Sequence, residues 1–226
     1  MRKLFSFFPA LLLLLCLTAI ETRADAIVTK TIVTDPANDF RATYAGPHNG
    51  DLDIVNALMA LFGTQFRFSG TFNAPIGTTP GAFYIFGVDR GAGTARFGSI
   101  APNVTFDSVV VLRPGGTSTV NDFVSGTTTT IPNANITISG NTIAGTIPIS
   151  FLPSQGFTLD QYSYNLWSRL QVGSAPNNAT DIADFAPDNG NAQVIAVPEP
   201  MTLLLLGTGL TGFAAKLRRR KSSVKN

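Results

Sequence analysis

Cysteine is nearly absent from this 226-residue chain: Cys16 is the only one, and it lies inside an apolar N-terminal run. The remainder therefore has no disulfide framework, no thiol nucleophile and no thiolate-bound metal, and its stability has to come from a packed core. Histidine is as scarce. His48 stands in the loop composition Gly46-Pro-His-Asn-Gly50, without partners at metal-ligand spacing and without a G-x-S-x-G elbow for a serine triad. It reads as a plain loop residue. Between residues 27 and 215, Lys30 is the only lysine and Glu199 the only glutamate. Seven of the 16 basic residues and twelve of the 14 acidic ones fall in that stretch, so it carries about −5 although the chain as a whole carries +2. A surface without clustered Lys and Arg offers little to a phosphate backbone, which excludes nucleic acid as a partner. A glycosidase pair would have to be two aspartates, and few other groups are available as tunable acids or bases. The chain is expected to be non-catalytic, with a secreted hydrolase as one alternative.

What is abundant sits first at the two ends. Arg2 and Lys3 precede the apolar run Leu4 to Ile20, and Ala24-Asp25-Ala26 supplies the small residues a signal peptidase reads. Residues 1–26 are thus expected to be a signal peptide cut after Ala26. Leu15, where a small residue would be needed, argues against lipidation at Cys16. At the other end, Val197-Pro-Glu-Pro200 leads into fifteen apolar or small residues, 201–215, and then the basic cluster Lys216-Leu-Arg-Arg-Arg-Lys221. The prolines break the preceding structure, and the positive end holds the terminus on the cytoplasmic side. Fifteen helical residues rise only about 22 Å, short of a hydrocarbon core of roughly 30 Å, so the segment suits a transient anchor.

That order of Pro-Glu-Pro, apolar helix and Arg-rich end resembles the PEP-CTERM sorting signal, also catalogued at the C-terminus of some ice-binding proteins. The resemblance implies that residues 197–226 are recognised by an exosortase through Pro198, Glu199 and Pro200. Cleavage would follow nearby, with delivery to the cell surface, outer membrane or exopolysaccharide matrix of a Gram-negative bacterium.

The middle, residues 27–196, patterns as β. Phe66, Phe68, Gly70 and Phe72 alternate with Arg67, Ser69 and Thr71, the period of a half-buried strand. Phe83 to Val88 and Val104 to Leu112 read as inner strands, and Ser163 to Leu170 as another. Asn135 to Ser139 and Thr142 to Ile147 flank Gly140-Asn141 as a hairpin. Arg113-Pro-Gly-Gly116 is a turn. Ile54 to Phe62 suits a helix or a strand. Gly87-Val-Asp-Arg-Gly-Ala-Gly93 is better read as a β-turn bearing an Asp89/Arg90 pair than as a phosphate loop, because no strand–loop–helix order follows. The expected fold is all-β: one β-sandwich, jelly-roll or DOMON-like, between a signal helix and a C-terminal transmembrane helix.

Two residue sets are candidates for binding. Asp35, Asp39, Asp51 and Asp53 crowd a short stretch, and hard oxygen ligands from one loop are what calcium takes; Asp is equally an ordinary turn and cap residue. Tyr162, Tyr164 and Trp167 could stack on sugar rings or fill a core. The opening Asp35-Pro-Ala-Asn-Asp39 and Gly50-Asp-Leu-Asp53, with Ile143 to Pro148 and Leu152, resembles DOMON-like and family-9 carbohydrate-binding sandwiches. That resemblance implies a sugar or haem ligand, and His48 with Met59 makes a poor haem pair. The leading expectation is a structural surface or matrix protein, with a carbohydrate-binding module as the alternative. Ice binding would need a regular Thr-x-Thr ladder, which does not recur.

Overall fold

The computed structural model describes residues 32–197. The signal segment with Ala24 and Ala26, the Pro198-Glu199-Pro200 motif, the apolar run and the basic tail lie outside them, so both expected terminal helices do too. No helix among the described residues is long and apolar enough to cross a membrane.

Two sheets and a small hairpin account for most of the described chain, and neither sheet closes into a barrel. The first sheet is built on β2 (Ile54–Phe62) and β3 (Gln65–Phe72), followed by β11 (Thr142–Pro148) and the edge strand β10 (Ile136–Ser139). The outer side of β2 is shared by two short strands. β1 (Val33–Thr34) pairs with its first half, antiparallel, and β15 (Ile195–Val197) with its last three residues, parallel. The second sheet runs β13 (Ile182–Ala186), β12 (Ser163–Arg169), β4 (Phe83–Asp89), β7 (Ser108–Leu112), β8 (Ser118–Asp122), β9 (Thr127–Ile131). Here β14 (Ala192–Gln193) shares the outer side of β12 with β13. The hairpin joins β5 (Thr94–Ala95) to β6 (Thr105–Phe106), and the helix α1 (Asn178–Asp181) is a single turn before β13.

The all-β expectation holds, and the ambiguous stretch 54–62 is strand β2. Its alternation puts Ala57 and Met59 in the core, and β3 opposite supplies the ladder a helix would have forgone. The predicted hairpin is β10–β11, paired Ser139 with Thr142 across Gly140-Asn141. Phe66, Phe68 and Phe72 of β3 with Ile143 and Ile147 of β11 share one buried cluster with Tyr84, Phe86, Val88, Val110, Leu112 and Leu166 of the second sheet. Phe68 meets Phe86 edge-on at 5.1 Å between ring centroids, and Phe72 lies 4.4 Å from Tyr84. Each fully buried ring or aliphatic side chain contributes about 1.5–3 kcal/mol relative to exposure. Gly70 interrupts the Phe alternation for a steric reason: a Cβ there would stand 2.8 Å from Leu166 of the facing sheet.

A second apolar cluster lies on the other face of the second sheet. Ile85, Val109, Val111, Trp167 and Phe185 are covered there by Phe97, Ala101, Val104 and Phe106 from the β5–β6 region. That second covering layer is why β7 reads Ser-Val-Val-Val-Leu, without alternation: all five residues are buried. At the end of β4, Arg90 turns inward, wholly buried. Its Nε donates to Asp107 at 2.6 Å and its Nη2 to Asp122 at 2.9 Å, while Nη1 also reaches the Pro153 carbonyl at 3.0 Å.

Candidate metal centre

The loop that precedes β2 folds back on itself. Asn38 adopts φ 67°, a left-handed conformation that Asn tolerates better than most residues. Its backbone N–H then donates to both carboxylate oxygens of Asp53, at 3.0 and 2.9 Å, and the Asn73 side-chain amide donates to Asp53 Oδ2 at 2.8 Å. Asp53 follows the 3-10 turn Gly50–Leu52, which aims successive side chains to different sides. From the second sheet, Asp184 of β13 accepts the Ile54 N–H on Oδ2 at 2.7 Å and that of Phe185 on Oδ1 at 2.8 Å. The turn after β13 brings Asp188.

The result is five carboxylates around Asp39. One oxygen each of Asp35, Asp39 and Asp188 lies within 4.8 Å of the others, and so does one each of Asp39, Asp53 and Asp184. Asp53 and Asp184 are fully buried, Asp35 and Asp39 half-buried, Asp188 exposed. Asp35 Oδ2 and Asp39 Oδ1 are enclosed and have no hydrogen-bond partner among the described residues. None of the five belongs to an ion pair there. Arg41 lies close enough for its charge to act on Asp188 and Asp184 but forms no ion pair with them; its Nη1 donates to the Ile100 carbonyl at 3.2 Å and its guanidinium lies 5.0 Å over the Phe185 ring.

The electrostatics follow from that shortage of positive charge. Burial, then the charges of Asp188, Asp39 and Asp53, push Asp35 up to about 7. Burial, reinforced by Asp35 and Asp39, pushes Asp184 up to about 9 despite the two backbone donors that favour its charged form. Asp39 is raised for the same reason, burial first, then Asp188 and Asp53. Such a cluster either keeps protons or takes a cation. All its donors are hard oxygens, which suits calcium and not a soft or imidazole-preferring metal.

Of the four aspartates named as candidate calcium ligands, the structure gathers Asp35, Asp39 and Asp53 and sends the fourth elsewhere. Asp51 is fully buried on the other side of the 3-10 turn, where it accepts from the Thr79 N–H at 2.7 Å and from the Thr79 hydroxyl. Asp184 and Asp188, which sequence reasoning missed, take its place; they are about 130 residues away along the chain, with no local signal linking them to the loop. The aromatic platform is corrected too. Tyr162 and Tyr164 are fully buried in the first cluster, their hydroxyls donating to the carbonyls of Leu152 and Ala57, both at 3.1 Å. Trp167 is buried in the second cluster. Both faces of β12 are covered, so its alternating aromatics fill two cores and offer no stacking surface. Asp89 and Arg90 do not pair: Asp89 caps its own turn, accepting from the Gly91 and Gly93 N–H groups, while Arg90 goes to Asp107 and Asp122. His48 is exposed in its loop, its ring stacked 4.4 Å from that of Phe40.

Compared with known families, residues 196–220 match the PEP-CTERM protein-sorting motif. The chain therefore carries this motif, which marks an exported bacterial protein associated with the cell surface and processed through an exosortase system. No curated protein matches the chain.

Proposed function

We propose that this is a non-catalytic protein of the bacterial surface or exopolysaccharide matrix, consisting of one β-sandwich of jelly-roll or DOMON-like kind that export and sorting signals deliver. A signal peptidase removes residues 1–26, residues 197–226 anchor the chain in the inner membrane for a time, and an exosortase processes it near Pro198-Glu199-Pro200. The observation that carries the reading is the sorting motif joined to the last strand of the β domain, with no further domain between them. The domain's buried charges support a structural role: Arg90 is consumed by Asp107 and Asp122, and the two fully buried aspartates of the cluster, Asp53 and Asp184, accept backbone N–H groups that tie the loop and β13 together.

In this reading the cluster holds one calcium ion that ties the N-terminal loop, through Asp35, Asp39 and Asp53, to β13 and its following turn, through Asp184 and Asp188. The two enclosed oxygens without partners are what the ion would satisfy. Extracellular calcium is plentiful enough to fill sites of modest affinity.

The test is to incubate the processed protein with the matrix polysaccharide of its own host, with calcium and with chelator, and to follow where the protein resides in the cells. Cell-surface retention without saturable sugar binding is expected. Saturable binding would make the protein a carbohydrate-binding module acting through residues other than Tyr162, Tyr164 and Trp167. Turnover of the polysaccharide would make it a hydrolase.

A further inference from the structure

The sorting motif and the folded domain overlap. The match begins at Ala196, whereas β15 runs from Ile195 to Val197 and pairs with Ala60, Leu61 and Phe62 of β2. The first two residues of the motif are therefore held in a sheet, immediately before Pro198. A protease binds its substrate as an extended segment that pairs with the enzyme, and a segment already paired within a sheet cannot make those contacts.

The chain upstream shows how far the strand can come away. Val194 is fully buried in the first cluster, and its N–H donates to the Tyr162 carbonyl at 2.9 Å. It is the crossing point at which the chain passes from β14 on the second sheet to β15 on the first. Beyond it, Ile195 is only half-buried and Ala196 is exposed. Peeling residues 195–197 from β2 thus breaks a three-residue ladder and leaves the core intact, and Val194 stops the opening there. Local openings of this kind, with few buried contacts, are the cheapest a fold can make.

We infer that β15 is a strap: residues 195–197 must leave β2 before the exosortase can cut near Pro198-Glu199-Pro200, and Val194 confines that opening to the strap. The inference rests on processing by an exosortase as read above. It is conformational throughout; no bond of the chain forms or breaks until the enzyme acts on the released segment. Where cleavage tracks the population of an opened state, its rate reports the strap's own opening equilibrium.

The near absence of cysteine makes the test clean. Ala60 and Ile195 are register partners in β2 and β15, so the double variant Ala60→Cys/Ile195→Cys places two thiols within disulfide reach in a chain whose only other cysteine is Cys16, in the signal segment. Expressed as the full chain in its own host, the oxidised variant should remain at precursor mass, with processing slowed about tenfold or more, and adding reductant to the cells should restore it. Each single-cysteine variant should process at the parental rate. Equal processing of the oxidised double variant and the parent overturns the strap. Ile195→Gly provides an independent check that needs no cross-link: a weaker strand should raise the processing rate about two- to fivefold, and an unchanged or lower rate counts against the strap. If the parent itself is never processed, it is the exosortase reading that fails.

Discussion

Two of the regions in which the domain buries aspartates treat them in opposite ways. Around Arg90, two carboxylates close on one guanidinium, and Asp122 is held down to about 2: the Arg90 contacts and the N–H groups of Val124 and Ser125 outweigh the cost of its burial. Around Asp39, five carboxylates meet without an ion pair among the described residues, and burial with mutual repulsion drives Asp35 and Asp184 upward. The residue type is the same in both; what differs is whether the chain supplies the counter-charge. The first region is complete in itself. The second leaves buried carboxylates without an ion pair among the described residues, so its stability is expected to respond to pH and to added cations.

The largest effect should come from making the first region resemble the second. Arg90→Leu strands Asp107 and Asp122, and urea unfolding should show a loss of about 3–5 kcal/mol, the usual cost of removing one partner from a buried pair. Adding the missing charge to the second region is next. Calcium at about a hundredfold over its dissociation constant should stabilise the domain by about 2.7 kcal/mol, a rise in Tm of about 5–10 °C by calorimetry. Asp39→Asn or Asp184→Asn should abolish that rise.

A further contrast appears with pH. In chelator, Asp35 and Asp184 bind protons in the folded state that they lose in the unfolded one, so stability should fall as pH rises from about 4 through 7 to about 9. Asp122 acts the other way and only in acid: its contribution, present above about 4, is lost as pH drops towards 2. Unfolding midpoints in chelator that do not change between pH 5 and 8.5 would contradict the uncompensated cluster. The smallest effect belongs to Asp51→Asn. It weakens the contacts to Thr79 by about 1 kcal/mol and leaves the calcium response unchanged, because Asp51 lies outside the cluster.

How much of this was legible in the sequence depended on the range of the interaction. β3 and the β10–β11 hairpin show in local alternation and turn residues, because their two faces meet different surroundings, whereas β4 shows as a continuous apolar run because both its faces are buried. Three of the cluster's aspartates show for the same reason, being close together in one loop. Asp51 looked equivalent to Asp53 because spacing alone does not reveal that a 3-10 turn sends the two in different directions. Asp184 and Asp188 arrive by sheet pairing across the molecule, and no local pattern encodes that. Tyr162, Tyr164 and Trp167 misled because a strand carrying aromatics on both faces looks alike whether one face is open or covered by a second layer such as residues 97–106. The continuous apolar run of β7 was the available hint that this layer exists.

The sharing of β2 by β1 and β15 has a mechanical consequence. Both ends of the described chain are stitched to one strand, one running against it and one along it, so a pull applied between those two ends is carried first by two ladders of two and three pairs. Those ladders yield before the facing sheets are loaded. A pull on the two ends thus lengthens the domain by a few residues at each end while its two apolar clusters and the Arg90 network remain folded.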